Sequence, residues 1–212
     1  MSQFAMKELS LPAQFLVNTM DASTDPIAQF HAWMADASAS EPNDPNAMSV
    51  ATVTADGQPS VRILLLKGVE NGAFQFFTNY ESRKAGELVN GKAALCFHWK
   101  TLRRQVRVVG PVEKVPAAAS DAYFGVRQRG SQIGAHASLQ SQPLASRDVL
   151  VQAVADVEAR YAEQDVPRPE NWGGYQVIPS EIEFWLDQPY RLHDRFVFTR
   201  AGNGWQMQRL YP

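Results

Sequence analysis

Met48-Ser-Val-Ala-Thr-Val-Thr-Ala55, then Asp56-Gly57-Gln58, then Pro59-Ser-Val-Arg-Ile-Leu-Leu-Leu66 is the stretch that decides the fold class. Two runs rich in β-branched and aliphatic residues flank Asp-Gly. That pair accepts the positive φ of a tight hairpin turn, so the spacing predicts an antiparallel hairpin. Downstream, Ala73–Thr78 reads as a third strand and Ser82–Val89 as a short helix. Lys92–Trp99 and Gln105–Val115 form a second strand pair, with Val106 and Val108 on one face and Gln105 and Arg107 on the other. Ala117–Phe124 reads as helix, while Gln128–Ser141 carries no period that assigns it. Ser146 caps an amphipathic helix through Leu150, Ala153, Val154, Val157 and Tyr161. The tail returns to strands at Gly174–Ile178, Glu181–Asp187, Arg195–Thr199 and Trp205–Leu210, with Ala201–Gly204 turning the last pair.

Upstream, Asp25-Pro26 supplies an N-cap and a first-turn proline. Ile27, Phe30, Trp33, Met34 and Ala37 follow at helical spacing. Residues 1–24 are aperiodic and are expected to form a mobile or loosely docked arm. Residues 25–212 then make one α+β domain, an antiparallel barrel of about seven to nine short strands with flanking helices.

Composition narrows the function classes. The 212 residues carry 20 Lys+Arg and 22 Asp+Glu, a net charge of −2, which argues against bulk attraction to nucleic acid or acidic membrane. A chain of this length buries roughly 70% of its unfolded surface, so it needs no staples. The single cysteine, Cys96, excludes an internal disulfide and any multi-thiolate metal site. It lies mid-strand and reads as a buried small hydrophobe. The four histidines show no metal-ligand spacing, so no metal is expected. No apolar run approaches the ~20 residues of a membrane span, and no signal peptide is read. A cytoplasmic protein without nucleic-acid or membrane partners is the expectation.

Chemistry concentrates in four cationic clusters. Arg62 and Lys67 bracket Ile63-Leu64-Leu65-Leu66, and Ser82-Arg83-Lys84 opens a helix. Such a helix start suits a phosphate, though a solvated charge pair reads the same way. Arg103-Arg104-Gln105-Val106-Arg107 puts polar groups on one strand face. Tyr123, Arg127 and Ser131 are spaced by four and would converge on one anion if they shared a helical face, though Arg127-Gln-Arg-Gly130 reads equally as a loop. Arg191-Leu-His-Asp-Arg195 packs two guanidiniums, an imidazole and a carboxylate into five residues. Alternation would place Arg191, His193 and Arg195 together, an arrangement that calls for an anionic ligand. Trp185 reads either as core or as a wall for a planar ligand. Together these are the parts of a site for a planar, phosphorylated molecule.

The ordered set is specific. Arg62-Ile-Leu-Leu-Leu-Lys67, Phe77-Thr78-Asn79 with Ser82-Arg83-Lys84, Arg104-Gln105-Val106 and Ser131-Gln-Ile-Gly134 with Gln140-Ser141 come first. Trp172-Gly-Gly174, Ile182-Glu-Phe-Trp185, Arg191-Leu-His-Asp-Arg195 and Arg209-Leu-Tyr-Pro212 follow. From about Asp25 to the C-terminus the chain resembles the pyridoxamine 5′-phosphate oxidase family of FMN-binding split β-barrels. The resemblance implies a homodimer with FMN at the subunit interface. It implies FMN contacts from Arg62, Ile63, Leu64, Leu65, Leu66, Lys67, Phe77, Thr78, Arg83, Lys84, Gln105, Gln140, Ser141, Trp185 and Arg195. Lys67, Tyr123, Arg127, Ser131, Arg191 and His193 would contact substrate, with Arg191 orienting it and His193 handling protons. The implied reaction oxidises C4′ of pyridoxamine or pyridoxine 5′-phosphate to the aldehyde, with dioxygen as final acceptor and hydrogen peroxide released. A non-catalytic flavin- or pyridoxal phosphate-binding protein on the same barrel is the alternative. Two departures stand out: residues 1–24 lack the family's basic Gly-Gly-Leu segment, and His136 stands where relatives usually carry Trp. Strict alternation also places Arg62 and Lys67 on opposite faces, which a bulge or strand end would resolve.

Overall fold

Asp25 accepts the Ile27 N–H at 3.0 Å and starts helix α1 (Pro26–Ser40), as its Asp-Pro sequence predicts. The computed structural model describes residues 20–212. Of the expected arm of residues 1–24, Met20 is buried against the main core and residues 21–24 form a turn closed by the Thr24 N–H to the Asp21 carbonyl, while residues 1–19 lie outside the described residues.

The predicted hairpin forms from β1 (Ala47–Val53) and β2 (Pro59–Leu65), in register from Ala47 opposite Leu65 to Val53 opposite Pro59. Its loop is longer than a two-residue turn. Gly57, at φ +91°, donates to the Thr54 carbonyl, and Thr54 N–H donates to Gln58. A short strand missed by the sequence reading, β3 (Gly68–Glu70), precedes β4 (Ala73–Asn79). Helix α2 (Arg83–Leu88) leads to β5 (Lys92–Trp99) and the long β6 (Arg104–Lys114). Three helices follow: α3 (Ala117–Gly125), α4 (Arg129–Ala137) and α5 (Arg147–Arg160). The chain closes with β7 (Trp172–Val177), β8 (Glu181–Leu186), β9 (Asp194–Ala201) and β10 (Gly204–Leu210).

All pairings are antiparallel. The main path runs β10-β9-β8-β6-β5-β1-β2, while β7 joins β4 to β6. The first half of β6 pairs with β8 and its end pairs with β7, so one strand serves both halves of a split barrel. Gly110 lies where it changes partner. A Cβ there would lie 1.9 Å from the Ile178 carbonyl oxygen, so only glycine allows this approach.

The barrel interior holds Phe74, Phe76, Phe97, Phe184 and Phe198, and α1 closes one end with Phe30 and Trp33. Each such ring contributes about 1.5–3 kcal/mol by leaving water. A second cluster of Phe124, Ile133, Val157, Val166 and Trp172 packs α3, α4 and α5 against β7. Val106 and Val108 are fully buried and Arg107 faces outward, as alternation predicts. Cys96 corrects its expectation: it is half-buried, opposite Arg107, and burial pushes its thiol up. Among the described residues no helix is long and apolar enough to cross a membrane.

Candidate active site

Between the barrel and the helical cluster lies a cavity of about 620 Å³, within the usual range for small-molecule sites. Its walls come from five elements or their ends. The end of β2 and the following turn contribute Leu64, Leu65 and Lys67, and β4 contributes Phe77 and Thr78. The helical side contributes Tyr123, Arg127, Ser131 and Gln140, and β7 contributes Trp172.

The alternation problem at Lys67 resolves at the strand end. Leu66 N–H bonds to the Asn46 carbonyl, but Lys67 N–H bonds to Gln75 on β4, so the chain leaves one strand pair for another. Leu66 itself is buried in the core, and Ile63 is 63% exposed, so neither shares the cavity with Leu64 and Leu65.

Tyr123, Arg127 and Ser131 converge, but not on one helix. Tyr123 belongs to α3 and Ser131 to α4, with Arg127 in the turn between. That correction strengthens the site, because a break in the chain aims both helix ends at one volume. Phe77, Tyr123 and Trp172 form a stack, with Phe77–Tyr123 centroids 4.2 Å apart and Phe77–Trp172 5.5 Å apart. The Arg127 guanidinium lies over Trp172 at 4.6 Å, and Lys67 Nζ is 5.8 Å from the Tyr123 centroid. Burial lowers the Arg127 pKa, and its buried Nη1 has no protein partner among the described residues. An uncompensated guanidinium in a cavity wall is built to receive an anion.

A second cationic pole lies behind Thr78 and Gln140. The buried Lys84 ammonium contacts Thr78 Oγ1 at 2.8 Å, Ser82 Oγ at 3.1 Å and Gln140 Oε1 at 2.8 Å. All three are neutral oxygens. Burial, then the nearby Arg62 charge, brings the Lys84 pKa down to about 8 against a smaller opposite pull from Glu87. Arg62 meets Val50 O at 3.0 Å, Thr52 Oγ1 and Ser60 Oγ at 2.5 Å, and Glu87 at 3.1 Å. It therefore lies among protein partners and does not line the cavity. Arg83 is largely exposed and pairs with Glu87 at 2.8 Å. Ser141 is exposed, at φ +73°, beside Gln140.

Glu87 is a residue that the sequence reading missed. Burial alone would raise its pKa; hydrogen bonds from Ser60, Thr52, Arg83 and Arg62 outweigh that and hold it at about 2. Its signal was the i,i+4 spacing from Arg83.

The remaining predicted residues form a separate group. Gln105, Trp185 and Arg195 lie directly opposite one another across β6, β8 and β9. His193 packs on Trp185 with ring centroids 4.6 Å apart. Arg195 bonds to Glu183 at 2.7 and 3.1 Å, and Arg107 reaches the same buried carboxylate from the other side. Those hydrogen bonds outweigh burial to lower Glu183, and the Glu183 bond raises Arg195. Arg191, His193 and Arg195 do not share one strand. Arg191 ends a one-turn 3₁₀ helix (Pro189–Arg191) at φ +63°, and only Arg195 belongs to β9. None of this group lines the cavity.

The residues present fit FMN together with a phosphorylated substrate. Two separate cationic poles, Lys84 and the Lys67 and Arg127 side chains, have no carboxylate partner among the described residues, and three stacked aromatic rings border the cavity. Two phosphates and one planar ring system account for all three features.

Comparison with known proteins agrees. A family described as pyridoxamine 5′-phosphate oxidase matches residues 34–161, and a pyridoxine 5′-phosphate oxidase C-terminal dimerisation region matches 172–212. A pyridoxine/pyridoxamine 5′-phosphate oxidase of Gluconobacter oxydans is 58% identical over 91% of this chain and 97% of its own length. One from Brucella canis is 56% identical over 90% and 95%. PhzG from Burkholderia lata, solved with tetrahydrophenazine-1-carboxylic acid, superposes with a TM-score of 0.85 at 30% identity, covering 91% of this chain and 95% of PhzG. A pyridoxamine 5′-phosphate oxidase-related, FMN-binding protein of Nostoc punctiforme shares the fold, with a TM-score of 0.72 at 16% identity over 90% of this chain and all of that one. With its barrel, its two cationic poles and both halves of its sequence matched, the chain belongs to the pyridoxamine 5′-phosphate oxidase family.

Proposed function

We propose that this chain oxidises pyridoxamine 5′-phosphate or pyridoxine 5′-phosphate to pyridoxal 5′-phosphate, with FMN as cofactor, dioxygen as acceptor and hydrogen peroxide as second product. The observation that carries this reading is the convergence of Lys67, Tyr123, Arg127 and Ser131 on one cavity beside a second, independent cation, Lys84. The first group suits the substrate phosphate and Lys84 suits the flavin phosphate.

Bound FMN supplies the two-electron acceptor that no side chain can provide. The protein's own task is to place the reacting carbon. Lys67 and Arg127 fix one end of the substrate as a charged anchor, and the Tyr123 and Ser131 hydroxyls add hydrogen bonds at that end. Holding the reactant in a near-attack pose is worth several kcal/mol, on the order of the gains known for well-oriented reactions. Arg191 orients the substrate ring, and the His193 imidazole accepts or returns a proton near the reacting carbon.

These two residues lie in the matched dimerisation region and away from the cavity. The chain therefore works as a homodimer, each cavity being completed by Gln105, Trp185, Arg191, His193 and Arg195 of the second copy. The cytoplasm is its expected compartment, in keeping with one unpaired cysteine.

The decisive experiment is an aerobic assay with FMN and pyridoxine 5′-phosphate, following both the aldehyde and peroxide. Equal amounts of each, dependent on FMN, are expected. Folded protein that binds FMN and forms neither would favour the non-catalytic binder instead.

A further inference from the structure

Two arginines stand at the junction of α3 and α4, and their guanidiniums are used differently. Arg129 opens α4 and caps the end of α5: its Nη2 donates to the Tyr161 carbonyl and its Nη1 to the Gln164 carbonyl at 3.2 Å. Arg127, two residues earlier, keeps a buried Nη1 with no protein partner among the described residues. Carbonyls are nevertheless close to it in the chain. Helix α3 ends at Gly125, and the last four carbonyls of a helix have no partner within it. A basic side chain near a helix end commonly takes such carbonyls. Arg127 is well placed to do so. Its own N–H bonds to the Phe124 carbonyl at 3.2 Å, and its guanidinium carbon lies 5.6 Å from the Phe124 ring centroid.

Gln132 occupies that helix end instead. Its Nε2 donates to the Phe124 carbonyl at 2.9 Å and to the Gly125 carbonyl at 3.5 Å. A carbonyl can only accept, so the amide must turn its NH₂ toward α3. Gln132 follows Ser131 in the first turn of α4, where both N–H groups bond to the Gln128 carbonyl, at 3.1 and 2.8 Å. One half-buried side chain therefore ties the start of α4 to the end of α3. It fixes Ser131 relative to the turn that carries Arg127, and it fills acceptors that the Arg127 guanidinium would otherwise cap.

We infer that Gln132 is a positioning residue: by capping α3 in place of Arg127, it leaves the Arg127 guanidinium free to hold the substrate phosphate. The inference rests on the reading of Arg127 and Ser131 as contacts to that phosphate, and deepens it. Without the Gln132 donor, the freed carbonyls are open to a new partner, because a buried acceptor left unmet costs more than a hydrogen bond formed elsewhere. Arg127 is the flexible donor next to them. Each bond that its guanidinium makes to α3 is one fewer for the anion.

The test is a double-mutant cycle on the full-length, FMN-loaded protein, with calorimetric titration of pyridoxal 5′-phosphate. Gln132→Met keeps the length of the side chain and removes its donors. It should weaken binding about 2- to 10-fold, the scale of one net hydrogen bond. Arg127→Ala should weaken binding further. In the R127A background Q132M should add nothing beyond about twofold, because the guanidinium that it misplaces is gone. FMN affinity should stay level in Q132M. In turnover, KM should rise by the same factor as the dissociation constant while kcat holds, the mark of a lost binding contact. Gln132→Asn, whose amide falls one methylene short, is read in the same way should Q132M fail to fold. Equal weakening by Q132M with and without Arg127 would make Gln132 a structural residue only and overturn the inference. Unchanged binding in Q132M, with R127A weakened, overturns it as well. If R127A itself binds like the wild type, the phosphate reading of this turn fails first and the inference falls with it, so the two failures are distinguishable.

Discussion

The Lys84 ammonium and the Gln140 amide oxygen meet at 2.8 Å across 56 residues of sequence. The contact joins α2 to the loop after α4, and among the described residues Lys84 has three neutral oxygen partners and no carboxylate. Its pKa of about 8 follows from burial and from Arg62. If the FMN phosphate binds Lys84 as proposed, it prefers the charged ammonium, so FMN binding above pH 8 draws a proton into the site. The expected apparent Kd is flat from pH 7 to 8 and rises above it, by up to about tenfold per pH unit. Quenching of flavin fluorescence on titration of the FMN-free protein measures this. Lys84→Met should bind more weakly at pH 7 and show no such rise. The stability effect has the opposite sense. The folded pKa lies below the unfolded 10.5, so burying the charge opposes folding below pH 8, and that opposition fades as pH climbs toward 10.5.

Glu87 makes the complementary prediction on the acid side. Its carboxylate holds Arg62 and Arg83 from a buried position, and its pKa is about 2, below the usual 4.5. A depressed carboxylate contributes stability above the unfolded pKa and loses it as pH falls through the folded one. Glu87→Ala should therefore cost about 3 kcal/mol at pH 7, the scale of breaking a buried pair. The gap from the wild type should narrow between pH 4.5 and 2. Urea unfolding at several pH values reads both; a gap independent of pH would show that lost packing, not charge, sets the cost.

Trp172 carries Arg127 on its face at 4.6 Å while packing into the second core. Removing the ring should loosen the guanidinium that we propose anchors the substrate phosphate. Trp172→Leu is expected to raise KM for pyridoxamine 5′-phosphate about 2- to 30-fold, the span of a cation–π contact of ~0.5–2 kcal/mol. Trp172→Phe should recover part of it, and FMN affinity should not change. Steady-state kinetics at saturating FMN decides the case; a loss in kcat with KM intact would place Trp172 outside substrate anchoring.

The sequence made the scaffold legible wherever one local signal dominated. Asp56-Gly57 announced the hairpin, Asp25-Pro26 the start of α1, and Gly202 with Asn203 the β9–β10 turn. Helix α4 was hidden because Gly130 and Gly134 dilute its apolar face to little more than Ile133. Strand β3 was hidden because three residues cannot show a period. The cationic clusters could be picked out one at a time, but their grouping could not. Lys67, Arg127 and Ser131 come together only because β2 hands the chain to β4 and because α3 breaks before α4. The carboxylates Glu87, Glu183 and Asp187 were harder still. Glu87 showed only its i,i+4 spacing from Arg83, while Glu183 and Asp187 meet arginines of other strands or turns, a partnership that a lone acidic residue does not mark in sequence.

The separation of the two residue groups makes the last prediction. Lys67 and Arg127 line the cavity, while Arg191 and His193 lie beyond it, within the matched dimerisation region. If each site takes one group from each copy, Arg127→Ala and Arg191→Ala damage opposite sides of the same site. Either variant alone should lose most of its turnover. In a heterodimer of the two, one site collects both defects and the other collects none. Random pairing of equal amounts makes half of the dimers mixed, so co-refolded or co-expressed variants should recover about a quarter of wild-type activity. Differently tagged copies, purified through both tags, should reach about half. If both groups came from the same copy, every site would keep one defect, and the mixture would stay as inactive as its parents.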